Sequence, residues 1–295
     1  MNSEETIGKC LESIARQGCK KEIIVVDGGS RDRTQDIIKK RRAKLLIEKK
    51  KGPAAARNRG LDASKGDMIA FIDADVILPE GWARKALKLL GSDKKIAGVG
   101  GPGISAEGGV IPEALDCLLY GKSKNVKKKY VDSLATMDVL YRKPAIAKQR
   151  FDESFITAED PEFNFRLVKK GYKLLYSREL FVHHHHPLTL KSLLKRWYNY
   201  GKNYARPYLR HKEIRNPGFY ARILYMPLLI IFLLASVIYT ITAYAALMQI
   251  LLLFFAYLCI GLRACRGKAM LLFPFLHTMK QIAHMVGIFV YMIKG

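Results

Sequence analysis

Met68-Ile69-Ala70-Phe71-Ile72-Asp73-Ala74-Asp75 decides how this chain reads: an apolar, β-rich run closes on two carboxylates one residue apart. Side chains alternate along a strand, so Asp73 and Asp75 leave its carboxyl end on one side. Hard cations such as Mg²⁺ take oxygen ligands, commonly one or two carboxylates with substrate phosphates completing the shell. Open α/β sheets bind ligands beyond the carboxyl ends of their strands. The triplet is therefore expected to hold a divalent metal.

Upstream, Thr6 to Gln17 carries Ile7, Leu11 and Ile14 at helical spacing. Glu22 to Val26 is a β-rich run that ends in Asp27-Gly28-Gly29-Ser30, where a strand gives way to a turn. A helix near Thr34 to Arg42, a strand at Lys44 to Ile47 and a helix around Ala54 to Ala63 lead up to the opening stretch. Downstream come a helix at Trp82 to Leu90, a strand at Met137 to Tyr141 and a helix at Glu162 to Lys170. Extended pieces at Lys173 to Tyr176 and Leu180 to Val182 then run into four consecutive histidines, His183 to His186. The glycine-rich Gly98 to Gly109 and the lysine-rich Gly121 to Tyr130 read as mobile connections. Strands alternating with helices predict an α/β fold with a mostly parallel sheet flanked by helices.

Composition divides the 295 residues unevenly. The chain is 49% hydrophobic and carries a formal charge of +24, yet the 40 residues from Ile223 to Leu262 contain no Asp, Glu, Lys, Arg or His. That length suits two membrane crossings, 223–241 and 244–262, joined by a tight turn near Thr240 to Tyr244. Arg222 before the run and Arg263, Arg266 and Lys268 after it put both flanks in the cytosol by the positive-inside rule. The expected location is therefore the cell membrane, multi-pass, with the amino-terminal domain cytosolic. A third segment, 271–293, carries Pro274 and a polar stripe of His277, Lys280, Gln281 and His284; it is expected either to lie in the interface or to cross. Between domain and anchor, 188–222 combines Leu190, Leu193, Leu194, Trp197, Tyr198 and Gly201 on one helix face with basic and tyrosine residues, a stretch suited to the membrane interface. The domains are thus 1–187, 188–222 and 223–295. Beside such an anchor the positive charge reads as attraction to anionic membrane lipid and phosphorylated substrates, with no nucleic acid as partner. Five cysteines without a C-x-x-C pair point to neither a disulfide framework nor a zinc site.

Four motifs come in series: Asp27-Gly28-Gly29-Ser30-x-Asp32-x-Thr34; Ala56-Arg57-Asn58-x-Gly60; Asp73-Ala74-Asp75 with Pro79 and Trp82; and Glu159-Asp160-x-Glu162 with Arg166 and Gly171-Tyr172. Together they resemble the family 2 inverting glycosyltransferases of the GT-A fold, membrane-anchored ones in particular. The resemblance implies a metal-dependent enzyme that moves one sugar, with inversion, from a nucleotide-sugar donor to a lipid-linked or glycan acceptor. By the same resemblance Asp27 receives the base or ribose, with Gly28 letting the backbone come close. Arg57 lies near the diphosphate, Asn58 near the nucleotide, and Asp73 at ribose or metal. Asp75 is the principal ligand of Mg²⁺ or Mn²⁺, with His184 or His186 completing the shell. Asp160 is the general base and Glu159 orients it.

Two departures qualify this expectation. Arg196-Trp197 matches the end of the Q-x-x-R-W signature of processive synthases, but Leu193 stands where glutamine belongs, which argues for single addition. Family members also open with a strand ahead of the segment that starts here at Asn2, so the chain is expected to lack that strand. Alternatives are glycosylation of a bare polyprenyl phosphate, and an inactive membrane scaffold with a truncated GT-A fold.

Overall fold

A computed structural model describes residues 1–120, 127–185, 189–211, 240–265 and 267–294, with Leu224, Ile231 and Ala235 as isolated positions. The chain forms two compact units, Met1–Glu107 with Asn125–His186, and Gly108–Lys124 with Pro187–Gly295.

The first unit opens with α1 (Ile7–Ala15), β1 (Ile24–Asp27), α2 (Thr34–Lys39), β2 (Lys44–Ile47) and α3 (Pro53–Ala63). Pro53 sits in the first helical turn of α3, where a missing N–H costs nothing. Then come β3 (Met68–Ile72), β4 (Val76–Ile77), α4 (Trp82–Gly91), β5 (Ile96–Gly100) and β6 (Gly103–Ser105). The chain leaves through α5 (Val110–Tyr120) of the second unit. It returns as β7 (Lys128–Val131), β8 (Asp138–Arg142), α6 (Lys143–Ile146), α7 (Glu159–Lys169), β9 (Lys173–Ser177) and β10 (Val182–His184).

The sheets are mixed, which corrects the expectation of a mostly parallel one. Strand order is β3-β8-β5-β9-β7 in the largest sheet, β4-β10-β6 in a second and β1-β2 in a third. Successive β-α-β units would have paired β5 directly with β3. Instead β8 enters between them and runs against both, pairing Ile72 with Asp138 and Gly98 with Tyr141, so β3 and β5 share a direction without being neighbours. That insertion matters for function, because it carries the start of β8 to the end of β3 where the Asp pair lies.

The glycine-rich stretch is not simply a loop but holds the end of β5 and all of β6. A Cβ on Gly98 would lie 2.6 Å from the Tyr141 ring, and one on Gly101 2.4 Å from the Leu180 carbonyl oxygen, so these glycines serve close backbone approach. Of the lysine-rich stretch, 121–126 lie outside the described residues, and Lys128–Val131 is an edge strand whose exposed lysines suit that position.

Alternation along the strands fills both sides of the large sheet. Val139, Tyr141 and Leu174 join Phe71, Phe151 and Phe163 in one core cluster, whereas Leu140 and Leu175 join Trp82, Leu90 and Leu180 in another. Within the first cluster Phe151 stacks on Phe163 at 4.1 Å between ring centroids and meets Phe71 edge-on at 5.4 Å.

The second unit holds α5, α8 (Leu190–Arg210) and two long helices, Thr240–Ala264 and Ala269–Lys294. No helix among the described residues is long and apolar enough to cross a membrane. This overturns the expected multi-pass membrane location with a cytosolic domain. The proposed crossing at 223–241 falls almost wholly outside the described residues. Thr240 to Tyr244, where a turn between two crossings was expected, is helical throughout. In the third segment, Phe273 and Leu276 pack with Leu193 and Trp197 of α8 and with Ala114 and Leu115 of α5. In that segment apolar side chains cover neighbouring helices, a use that a sequence window does not separate from facing lipid.

Candidate active site

The site forms where β3 ends. The Asp73 N–H donates to the Met137 carbonyl at 3.0 Å, and the Val76 N–H closes a turn onto the Asp73 carbonyl at 3.2 Å. Antiparallel pairing of β10 with β4 sets His184 opposite Val76, and the His184 Nε2 lies 3.3 Å from Asp75 Oδ2. The next residue, His185, donates its backbone N–H to the Asp75 carbonyl at 3.0 Å, and its Nδ1 is bonded to Glu107.

From the other side, α3 sends in Arg57. Its Nη1 pairs with Glu159 at the start of α7, and its Nη2 lies 3.4 Å from Asp73 Oδ1. Arg57 keeps 13% of its side-chain surface exposed and Glu159 7%, so this ion pair is largely desolvated. α7 begins after Ala158, which takes the left-handed conformation at φ 67°. Beside Glu159, Asp160 receives the Thr136 N–H at 3.4 Å. Burial, then the charge of Glu159, pushes the Asp160 carboxyl up to about 7 against the pull of Arg57. Burial also raises Asp73, opposed by Arg57 and assisted by Asp75. Its side chain nevertheless stays 44% exposed.

At the end of β1, burial works against the charge of Asp27, but donors from its own loop hold the carboxylate below its usual range. These are the Ser30 hydroxyl, the Ser30 N–H at 2.7 Å, the Gln35 amide at 2.8 Å and the Gly29 N–H at 3.1 Å. Gly28 is exposed beside it. Asn58 faces elsewhere: its amide donates to the Phe151 carbonyl at 2.9 Å and accepts the Phe151 N–H at 2.8 Å.

Among the described residues, no three His, Cys, Asp or Glu side chains converge as a ready-made metal cage. Asp75 and His184 offer one oxygen and one nitrogen, a donor set that Mn²⁺ accepts and that Mg²⁺ sites commonly complete with substrate phosphates. His186 lies outside the described residues.

The structure thus brings Arg57, Asp73, Glu159 and Asp160 together and sets Asp75 against His184. Reading the sequence missed Glu107, His185 and Asp138. Asp138 is 1% exposed and accepts the Gly101 N–H at 3.1 Å; burial holds its carboxyl far above the usual range. A carboxylate opening the apolar run Val139-Leu140-Tyr141 was the available signal. For Glu107 and His185 no local pattern exists.

Residues 1–147 match the model of glycosyl transferase family 2. The dolichyl N-acetyl-alpha-D-glucosaminyl phosphate 3-beta-D-2,3-diacetamido-2,3-dideoxy-beta-D-glucuronosyltransferase of Methanococcus voltae is 27% identical over 261 residues, covering 81% of this chain and 79% of the relative. Glycosyltransferase AglE of Haloferax volcanii is 27% identical over 213 residues, 68% of this chain and 69% of its own. In fold, the chain is similar to the Pyrobaculum calidifontis mannosyltransferase PcManGT, solved with GDP-Man and Mn²⁺, at a TM-score of 0.62 and 17% identity over 99% of this chain and 84% of the other.

Proposed function

We propose that this chain, which belongs to glycosyl transferase family 2 through its residues 1–147, moves one sugar with inversion from a nucleotide-sugar donor to a hydroxyl of a lipid-linked or glycan acceptor. The observation that carries the reading is the Arg57 guanidinium, which draws the Asp73 motif and the Glu159-Asp160 motif into one site.

In this reading Asp27 lies where the base or ribose of the donor is received. Its own loop keeps it ionised and aimed, and Gly28 leaves room for the nucleoside. Asp75 with His184 would hold Mg²⁺ or Mn²⁺, whose charge offsets that collecting on the departing nucleoside diphosphate. The Mn²⁺ and GDP-Man bound by the Pyrobaculum calidifontis enzyme support that donor class.

Asp160 serves as general base. A group raised to about 7 is substantially ionised at neutral pH yet still basic enough to take a proton in the transition state. The acceptor oxygen bonds to the anomeric carbon from the face opposite the diphosphate, and its proton passes to Asp160. The bond from that carbon to the phosphate oxygen breaks, the nucleoside diphosphate leaves with the electron pair, and configuration inverts. The Methanococcus voltae relative acts, by its name, on a dolichyl-linked sugar phosphate, which supports a lipid-linked sugar as acceptor.

Calorimetry with a panel of nucleotide sugars and Mn²⁺, followed by mass spectrometry of products, tests this. Heat from one donor and a mass gain of one sugar on a hydroxyl acceptor are expected. Transfer to bare polyprenyl phosphate alone would reassign the acceptor, and no heat with any donor would refute the reading.

A further inference from the structure

Resemblance places Arg57 and Asn58 against the donor, but the structure gives both side chains other partners. Arg57 divides its guanidinium between Glu159 and Asp73 and lies 5.7 Å from the centre of the Phe151 ring. Asn58, 7% exposed, bonds both backbone polar groups of Phe151 and reaches the Glu153 carboxylate at 3.1 Å. The asparagine is engaged at both ends of its amide, and the guanidinium commits donors on both of its terminal nitrogens to carboxylates of different elements.

These contacts close a ring. On its polar side the ring runs from Asp73 after β3, through Arg57 of α3, to Glu159 of α7. On its apolar side it runs from Phe71 of β3, through Phe151, to Phe163 of α7. Asn58 fixes the middle member, Phe151, to the helix that carries Arg57. Both sides join the strand that delivers the Asp pair to the helix that delivers Glu159 and Asp160.

We infer that Arg57-Asn58 is a positioning dipeptide that locks β3 and α7 into one frame. The inference rests on the reading that this site takes a nucleotide sugar. Its function is geometric: Asp160 must meet an anomeric carbon whose place is set from the other motif, and a misplacement of about 1 Å costs on the order of 100-fold in rate.

The test uses Arg57→Lys, which keeps the charge but loses the two-pronged fork, and Asn58→Ala. Amide exchange at Glu162 to Leu167 is measured in the unliganded chain, alongside affinity for UDP and GDP with Mn²⁺ and, with the donor found by screening, kcat for transfer. Both variants are expected to speed exchange in α7 by roughly tenfold or more. For Arg57→Lys, kcat falls about 100-fold while affinity for the better nucleoside diphosphate stays within about threefold. Should Arg57→Lys unfold, Arg57→Gln combined with Glu159→Gln removes both buried charges and is measured instead.

Unchanged exchange in α7 overturns the inference. So does a loss of diphosphate affinity matching the loss of kcat, which would return Arg57 to the donor. Failure of the unaltered chain to bind either diphosphate would count against the donor reading, and the exchange result would still decide the positioning role.

Discussion

The two ends of the site are built differently. At the end proposed to carry the base, Glu159 and Asp160 are fixed by a desolvated guanidinium, a backbone N–H and a stack of aromatic rings. At the end proposed to hold a cation, Asp75 meets one imidazole at 3.3 Å on a short turn between two strands. A base must be aimed before the acceptor arrives, because reorganisation during proton transfer would add to the barrier. A cation that a diphosphate helps to bind needs only part of its shell from protein. Preorganisation therefore concentrates where the substrate supplies nothing.

That contrast breaks most visibly at Asp160. Asp160→Asn should lower transfer to a hydroxyl by roughly 100- to 10,000-fold, the range of a lost general base. Affinity for nucleoside diphosphate with Mn²⁺ should be unchanged, since the base end contributes nothing to it. Full activity in steady-state transfer assays would remove Asp160 from its role. At the other end, Asp75→Asn should lower turnover by on the order of 100-fold and, unlike Asp160→Asn, abolish the rise in melting temperature that Mn²⁺ with a nucleoside diphosphate gives the unaltered chain. If the two variants behaved alike in both assays, the two ends would not be separable.

The difference between the ends is also a difference in legibility. Asp73-Ala74-Asp75 could be read because a strand and its turn are local: Met68–Ile72 and Lys44–Ile47 fold with the bounds their apolar runs suggest. The bond between Arg57 and Glu159 spans 102 positions, and no periodicity announces it. The same limit hid β6 and displaced β10, expected at Leu180 to Val182 and found at Val182–His184, since the pairing of these three-residue strands comes from neighbours distant in sequence. It also left the third segment open between interface and crossing, since Phe273 and Leu276 look equally apolar whether they meet lipid or Trp197.

A smaller effect sharpens the picture of the base end. Burial and then Glu159 push the Asp160 carboxyl up to about 7, so the carboxylate proposed as base forms only as pH climbs. At fixed donor and cation, transfer should rise roughly tenfold from pH 6 to pH 8 with its midpoint near 7. The folded state binds this proton more tightly than the unfolded chain. Asp160 therefore costs stability progressively as pH rises from its ordinary value through its folded one. Denaturant titrations should show Asp160→Asn gaining stability relative to the unaltered chain at pH 8, and not at pH 4. Glu159, Arg57 and the Thr136 N–H surround this carboxyl, so an acid limb that persists unshifted in Asp160→Asn would belong to a different group.

The smallest expected effect lies one residue ahead of the pair. Ala158 holds φ 67° and ψ 19°, a left-handed conformation that costs an L-residue roughly 1–2 kcal/mol. Glycine would relieve that strain but would lose roughly 0.4–1 kcal/mol through the greater freedom of its unfolded chain. The net for Ala158→Gly is a gain of about 0.5–1 kcal/mol, readable by chemical denaturation. Strain that stabilises an orientation should show in rate as well, so the same variant is expected to slow transfer a few-fold while diphosphate affinity holds. Stabilisation without slowing would mean that Arg57 and the aromatic stack aim α7 by themselves, and that the bend at Ala158 is only a way into the helix.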